Sequence, residues 1–199
     1  RGVDNCFLVD ESSAREIRSM AARILDNLAT GERFIFTDDG SEPDGRVRLL
    51  TYEMRPGARV GAHRHPGHVQ TFRVVSGQLH VEVDGRSLVL GPGDTAECSR
   101  GGVHQQWNEG ADKVVVEEGY DPPLDIEPLF VVVARAAERG DVLSDGRLKN
   151  PLKFGVLLRN FSRIVAPANR WLDRAGHLLG AVGNLFGYER WYEADLPRR

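Results

Sequence analysis

Four residues are typed and spaced so that they could share one metal ion. His63 and His65 stand two apart in the run from Gly57 to Gly77, Gln70 resumes that run after Pro66-Gly67, and His104 opens the later run HQQWN. Side chains two apart on a strand project from the same face, so His63 and His65 can point at one place. Neutral imidazole is a common ligand of transition metals, and a third imidazole from a later strand would complete a three-nitrogen site. Five of the six histidines fall between His63 and His104. Phe72 and Val74 share the face of Gln70 and are candidate pocket walls. Gln106 and Trp107 follow His104, and Tyr52 lies on an earlier strand-like run, so all three join the candidate substrate pocket. His80 and His177 read as ordinary structural histidines. Tyr52's neighbour Glu53, and Glu97, are further polar candidates whose facing the pattern leaves open.

The elements that would position these groups are mostly short strands. RFIF, VRLLTYEM, QTFRVV, QLHVEV, RSLVL and KVVVEE alternate or are rich in β-branched residues. Asp44-Gly45, Pro56-Gly57, Ser76-Gly77, Asp84-Gly85 and Gly91-Pro92-Gly93-Asp94 separate them as turns. Asp84-Gly85 between two alternating runs is a hairpin signal. Many short strands at near-regular spacing predict a mainly β fold, a single antiparallel jelly-roll barrel over residues 32–123. Before it, apolar residues from Ile17 to Leu28 recur at three- and four-residue steps, which predicts a helix over Glu11–Leu28 within an N-terminal segment 1–31. After Asp121-Pro122-Pro123, three helical stretches are expected, Pro128–Arg139, Pro151–Val165 and Ala168–Phe186, forming an extension over 124–199. Trp171, Leu172, Leu178, Leu179, Val182, Leu185 and Phe186 lean toward one face of the last stretch. That face is expected to cover the barrel or a dimer partner; peripheral membrane contact is the alternative, disfavoured by Gly183, Asn184 and a polar face that is not strongly basic.

Composition narrows the class. The chain has 199 residues and a formal net charge of -3, which advertises neither nucleic acid nor an anionic membrane as partner. Cys6 and Cys98 are too few for a disulfide framework or a thiolate zinc knuckle. No apolar run reaches the roughly 18 residues of a membrane span, and the opening residues RGVDN lack the order of a signal peptide. A cytoplasmic setting is expected.

The segment from Gly57 to Gly77 resembles the first cupin motif, G-x5-H-x-H-x3-4-E-x6-G, with Gln70 where the family has Glu. Gly85, Gly93-Asp94 and His104-x3-Asn108 resemble the second motif, with its proline displaced by one position to Pro92. The helical tail is similar to tails on small bacterial cupins. The resemblance implies a jelly-roll barrel with one divalent transition metal (iron, manganese, nickel, cobalt or zinc) in its mouth, and a homodimer. It also implies a metal-dependent enzyme on a small organic substrate, most readily a dioxygenase acting on enols, phenols or polyketide-like molecules. Redox-neutral isomerisation, cyclisation or dehydration is the alternative, and a non-catalytic small-molecule binder a third reading. The neutral Gln70 would weaken metal affinity, favour an anionic substrate oxygen as the fourth ligand, and remove a general base, since an amide accepts no proton near neutrality. His68, between the ligands, is then the candidate acid-base residue; its competing reading is a solvated loop histidine.

Overall fold

A computed structural model describes residues 23–36, 48–193 and 196. Eleven strands among them form two antiparallel sheets: β1 (Arg23–Asn27), β2 (Glu32–Phe36), β3 (Arg48–Met54), β4 (Arg59–Arg64), β5 (Val69–Ser76), β6 (Leu79–Val83), β7 (Arg86–Leu90), β8 (Thr95–Cys98), β9 (Val103–Trp107), β10 (Val114–Asp121) and β11 (Ala166–Pro167). One sheet has the order β1-β2-β3-β10-β5-β8 and the other β11-β4-β9-β6-β7. From β3 to β10 the chain passes between the sheets repeatedly, and the inner faces of both supply one core that includes Tyr52, Phe72, Val74, Leu79, Val81 and Val116.

The expected closed barrel is not formed. Neither sheet closes on itself among the described residues, and each keeps two edge strands. The crossings explain this. The chain changes layer through tight turns at Gly57, Gly77, Gly93 and Gly101, all with positive φ, and no strand pairs in both sheets. Four helices accompany the sheets, so the fold is mixed α/β rather than mainly β.

The expected N-terminal helix is also overturned where it can be checked. Its residues 11–22 lie outside the described ones, as does the Asp44-Gly45 turn, but Arg23–Asn27 is strand β1, paired with β2 from Arg23↔Phe36 to Asn27↔Glu32. Leu25 and Asn27 are buried while Ile24 faces out, a period of two. Ladder pairing to β2 overrides the helical spacing of the apolar residues. The Asp84-Gly85 hairpin forms as expected: both residues have positive φ, and β6 and β7 pair from Leu79↔Leu90 to Val83↔Arg86.

The helices are α1 (Ile126–Glu138), α2 (Pro151–Asn160), α3 (Arg170–Leu185) and α4 (Arg190–Glu193). Pro128 sits in the first turn of α1, where its missing N–H costs nothing. Phe130 of α1 stacks on Phe34 of β2 at 4.1 Å between centroids. Asn150 caps α2, accepting from the N–H groups of Leu152 (2.9 Å) and Lys153 (3.2 Å) ahead of Pro151. The stretch expected to be helical up to Val165 stops at Asn160. It then turns and adds β11 to the edge of the second sheet, pairing Ala166 with Arg64 and Pro167 with His63. The C-terminal segment is therefore built into the sheet that carries the histidines.

Helix α3 buries Gly176, Gly180 and Gly183, one face at helical spacing, rather than its apolar row. The absence of Cβ atoms lets α2 and α3 touch backbone to backbone: a Cβ on Gly155 would come within 2.6 Å of the Gly180 nitrogen. Trp171, Leu178, Leu185 and Phe186 are left exposed, at 75%, 71%, 84% and 74%. No described helix is long and apolar enough to cross a membrane.

Candidate metal centre

Strand β4 carries His63 opposite His104 of β9 in a paired register, after an irregularity between Val60 and His63 that re-aims the strand. Their rings lie 4.2 Å apart. His65 follows just beyond β4, with its ring 4.9 Å from His63 and 5.0 Å from His104. One nitrogen from each of the three falls within 4.8 Å of the others. The cluster is positioned to coordinate a single divalent metal ion.

Hydrogen bonds aim the rings. Nδ1 of His63 meets the Gly61 carbonyl at 2.8 Å, and Nδ1 of His65 meets the Ile164 carbonyl at 2.5 Å. A carbonyl only accepts, so each Nδ1 carries the proton and each Nε2 keeps its lone pair. Nδ1 of His104 lies 3.2 Å from the Cys98 sulfur, whose thiol has the Gly102 carbonyl 3.4 Å away. Burial lifts the Cys98 thiol to about 11, so it stays protonated. Nε2 of His65 and Nε2 of His104 are buried with no partner. Two orphaned lone pairs beside a third imidazole fit a transition metal ion, since unpaired buried polar atoms are otherwise costly. Burial is also the leading reason that His63 and His65 titrate below the ordinary histidine range and His104 only near 2. Neutral rings are the form that binds metal.

His68 is fully buried, which overturns the solvated-loop alternative. Its ring lies 4.5 Å from His65 and 5.0 Å from Tyr120, and neither nitrogen has a partner. Desolvation first, then Arg100 and His63, lowers it to about 4. The loop is held down because Gly67 runs against the Arg163 carbonyl, where a Cβ would sit 2.5 Å away.

Gln70 is buried on β5. Its Nε2 donates to the Tyr120 hydroxyl at 3.1 Å, and its Oε1 has no partner. Tyr120 in turn donates to Oε2 of Glu118 at 2.6 Å. Gln70, Tyr52 and Gln106 line a cavity of about 680 Å³ that also reaches His63 and His65. Three other pocket candidates do not border it. Phe72 and Val74 are sealed in the core, with Phe72 backing His104 at 6.0 Å between centroids. Trp107 alternates with His104 and Gln106 onto the outer face of β9, where it stacks on His80 and lies under Arg59. Glu53 faces outward to Lys113, and Glu97 is exposed.

Two carboxyl groups on the cavity wall escaped the sequence reading. Glu118 is fully buried, and desolvation raises it to about 8 despite the Tyr120 hydrogen bond. Glu32 is likewise raised by burial, against hydrogen bonds from Thr30, Tyr52 and Asn27. A signal for Glu118 was present: it occupies the same alternating face of VVVEEGYD as the buried Val114 and Val116, where an apolar residue belongs.

Residues 50–125 match the Cupin domain family. That stretch, from within β3 to just past β10, is the part of the chain that resembles a cupin domain. Three solved structures similar to it are KdgF from Halomonas sp. (22% identity, 52% of this chain and 89% of that one, TM-score 0.46), an RmlC-like cupin from Shewanella frigidimarina (21%, 53% and 88%, 0.45) and a predicted oxalate decarboxylase from Thermotoga maritima (17%, 52% and 93%, 0.45). No curated protein matches the chain.

Proposed function

We propose that this cupin-like domain is a metal-dependent enzyme acting on a small organic molecule, with an oxidoreductase of the dioxygenase type as the leading reading. The observation that carries it is the convergence of three neutral imidazoles, two of which, His63 and His65, border a cavity large enough for a small organic ligand. His63, His65 and His104 would hold the ion. When bound, a divalent transition metal supplies Lewis-acid chemistry and, for iron, manganese, nickel or cobalt, redox chemistry. Gln70 brings no charge to the set, so an enolate, phenolate or carboxylate oxygen of the substrate is the favoured additional ligand. The Gly61 and Ile164 carbonyls orient the rings. The apolar side of the cavity, including Phe34, Ile126 and Leu157, excludes water from the reacting end.

A redox-neutral isomerase, cyclase or dehydratase is the second reading, and Glu118 favours it. A carboxyl held near 8 carries a proton at neutral pH and can return it, and Tyr120 orients its Oε2. This restores to the site a proton-carrying group that Gln70 cannot be. His68 keeps a place in the proposal as a neutral imidazole beside His65. The reading also takes the chain as a cytoplasmic homodimer, with the exposed apolar row of α3 as support for the contact.

The test is dioxygen consumption by iron-reconstituted protein over a panel of enols and phenols. Uptake that matches product formation supports the oxygenase. Product formed at full rate under anaerobic conditions rejects it in favour of the redox-neutral reading.

A further inference from the structure

The cavity is rich in hydrogen-bond acceptors that have nothing to accept. Asn27 Oδ1, Gln70 Oε1, Gln106 Oε1 and Glu118 Oε1 are each buried without a partner, in side chains at most 3% exposed, and all four residues line the same cavity. Buried polar atoms in folded proteins are nearly always paired, so four unpaired around one cavity, three from the first sheet and Gln106 from the second, mark a place where something else binds.

The amides do not point there by chance. Glu32 is the root of the arrangement. Its Oε2 accepts from Asn27 Nδ2 at 3.2 Å, and its Oε1 accepts from the Tyr52 hydroxyl at 2.9 Å. The Tyr52 oxygen is in turn hydrogen-bonded by Gln106. Both Glu32 oxygens accept in these bonds, so Asn27 turns its NH2 inward, and Tyr52, having given its proton to Glu32, must accept from the Gln106 NH2. Both amide carbonyls are left facing away from these bonds. A second relay, Gln70 to Tyr120 to Glu118, repeats the logic, with distances of 3.1 and 2.6 Å. Gln70 is the candidate fourth metal ligand of the sequence motif, so Asn27 and Gln106 are the acceptors left for an organic ligand. Glu118 Oε1 accepts when ionised and donates when protonated.

We propose that Asn27 and Gln106, oriented by Glu32 and Tyr52, bind neutral hydroxyl groups of the substrate at positions other than the one that meets the metal. The substrate is then an apolar molecule bearing several hydroxyls, its carbon body against Phe34, Leu129 and Leu179. This deepens the enzyme reading above and rests on it. Hydroxyls suit the wall better than an ammonium does, because a hydroxyl both gives a proton to the amide oxygens and can take one from Glu118, whereas an ammonium only gives. Glu32 and Tyr52 act as positioning residues.

The test uses metal-free protein, prepared with a chelator, and a matched pair of probes: 4-hexylresorcinol and its dimethyl ether. The two share an apolar body and differ in their O–H donors. Calorimetric titration is expected to show the resorcinol binding at least about tenfold more tightly, the worth of one well-made hydrogen bond to a buried acceptor. In Gln106→Leu the preference is expected to shrink to within about threefold. Tyr52→Phe keeps the ring, removes the bond that turns Gln106, and is expected to shrink it likewise. Equal or tighter binding of the ether, binding of neither probe, or a preference unchanged in both variants overturns the proposal. Because no metal is present, that failure leaves the metal-centre reading standing, and a failure to bind metal leaves this one standing.

Discussion

Replacing Glu118 with Gln should alter the pH dependence of stability in a defined direction. Glu118 has an ordinary value of 4.5 and is raised to about 8 in the folded protein, chiefly by burial. The folded state therefore holds this proton more tightly than the unfolded state. A group raised on folding contributes stability that is fully present below its unfolded value and is lost as pH rises through the folded one. Each pH unit between the two values is worth about 1.36 kcal/mol, so the loss across the window from 4.5 to about 8 is roughly 5 kcal/mol. Gln has the same shape and can still accept from Tyr120, but it does not titrate. Urea denaturation of metal-free wild type and Glu118→Gln, at about pH 5 and about pH 9, reads the effect. The variant should gain on wild type by several kcal/mol between the two conditions. A difference that stays constant with pH would show that the carboxyl is solvated, and the account of the cavity wall would be wrong.

Other perturbations follow from the same geometry. Gln70→Glu should slow metal loss to a chelator, because it restores an anionic oxygen beside three neutral imidazoles; faster loss would remove Gln70 from the ion's surroundings. Gly180→Ala would drive a methyl into the Gly155 carbonyl on the α2–α3 seam. It should lower the melting temperature by roughly 2–10 °C, read by calorimetry, the scale of overpacking in a chain of this length. An unchanged melting temperature would mean that the two helices do not meet at their glycines.

The metal centre was legible because its signal is local. The two-residue spacing of His63 and His65 in an extended run, and the later His104 of the motif, are visible in short stretches of sequence. The Asp84-Gly85 hairpin and the proline-led helix starts were legible for the same reason. What could not be read depends on distant partners. The carbonyl that aims His65 belongs to Ile164, 99 residues further on, in a stretch whose apolar residues simulate a helix. Leu25 and Ile24 carry no mark that distinguishes a helix face from a strand until β2 pairs with them. Trp107 follows His104 closely enough to suggest a pocket wall, yet strand alternation places it with His80 outside. Helix α3 inverts the usual rule: close approach of α2 is worth more at the glycines than burial of Leu178 or Leu185, so the apolar row is left on the surface. Open sheets instead of a barrel follow from where the glycine turns divert the chain, which composition does not reveal.

The most direct measurement is the transition-metal content of purified, reconstituted protein, set beside that of His63→Ala and His104→Ala. The account predicts about one ion per chain in the wild type. It predicts less than about a tenth of that in either variant while the far-ultraviolet dichroism stays that of the wild type. Wild-type protein that takes up no ion, or variants that keep the full complement, would contradict it.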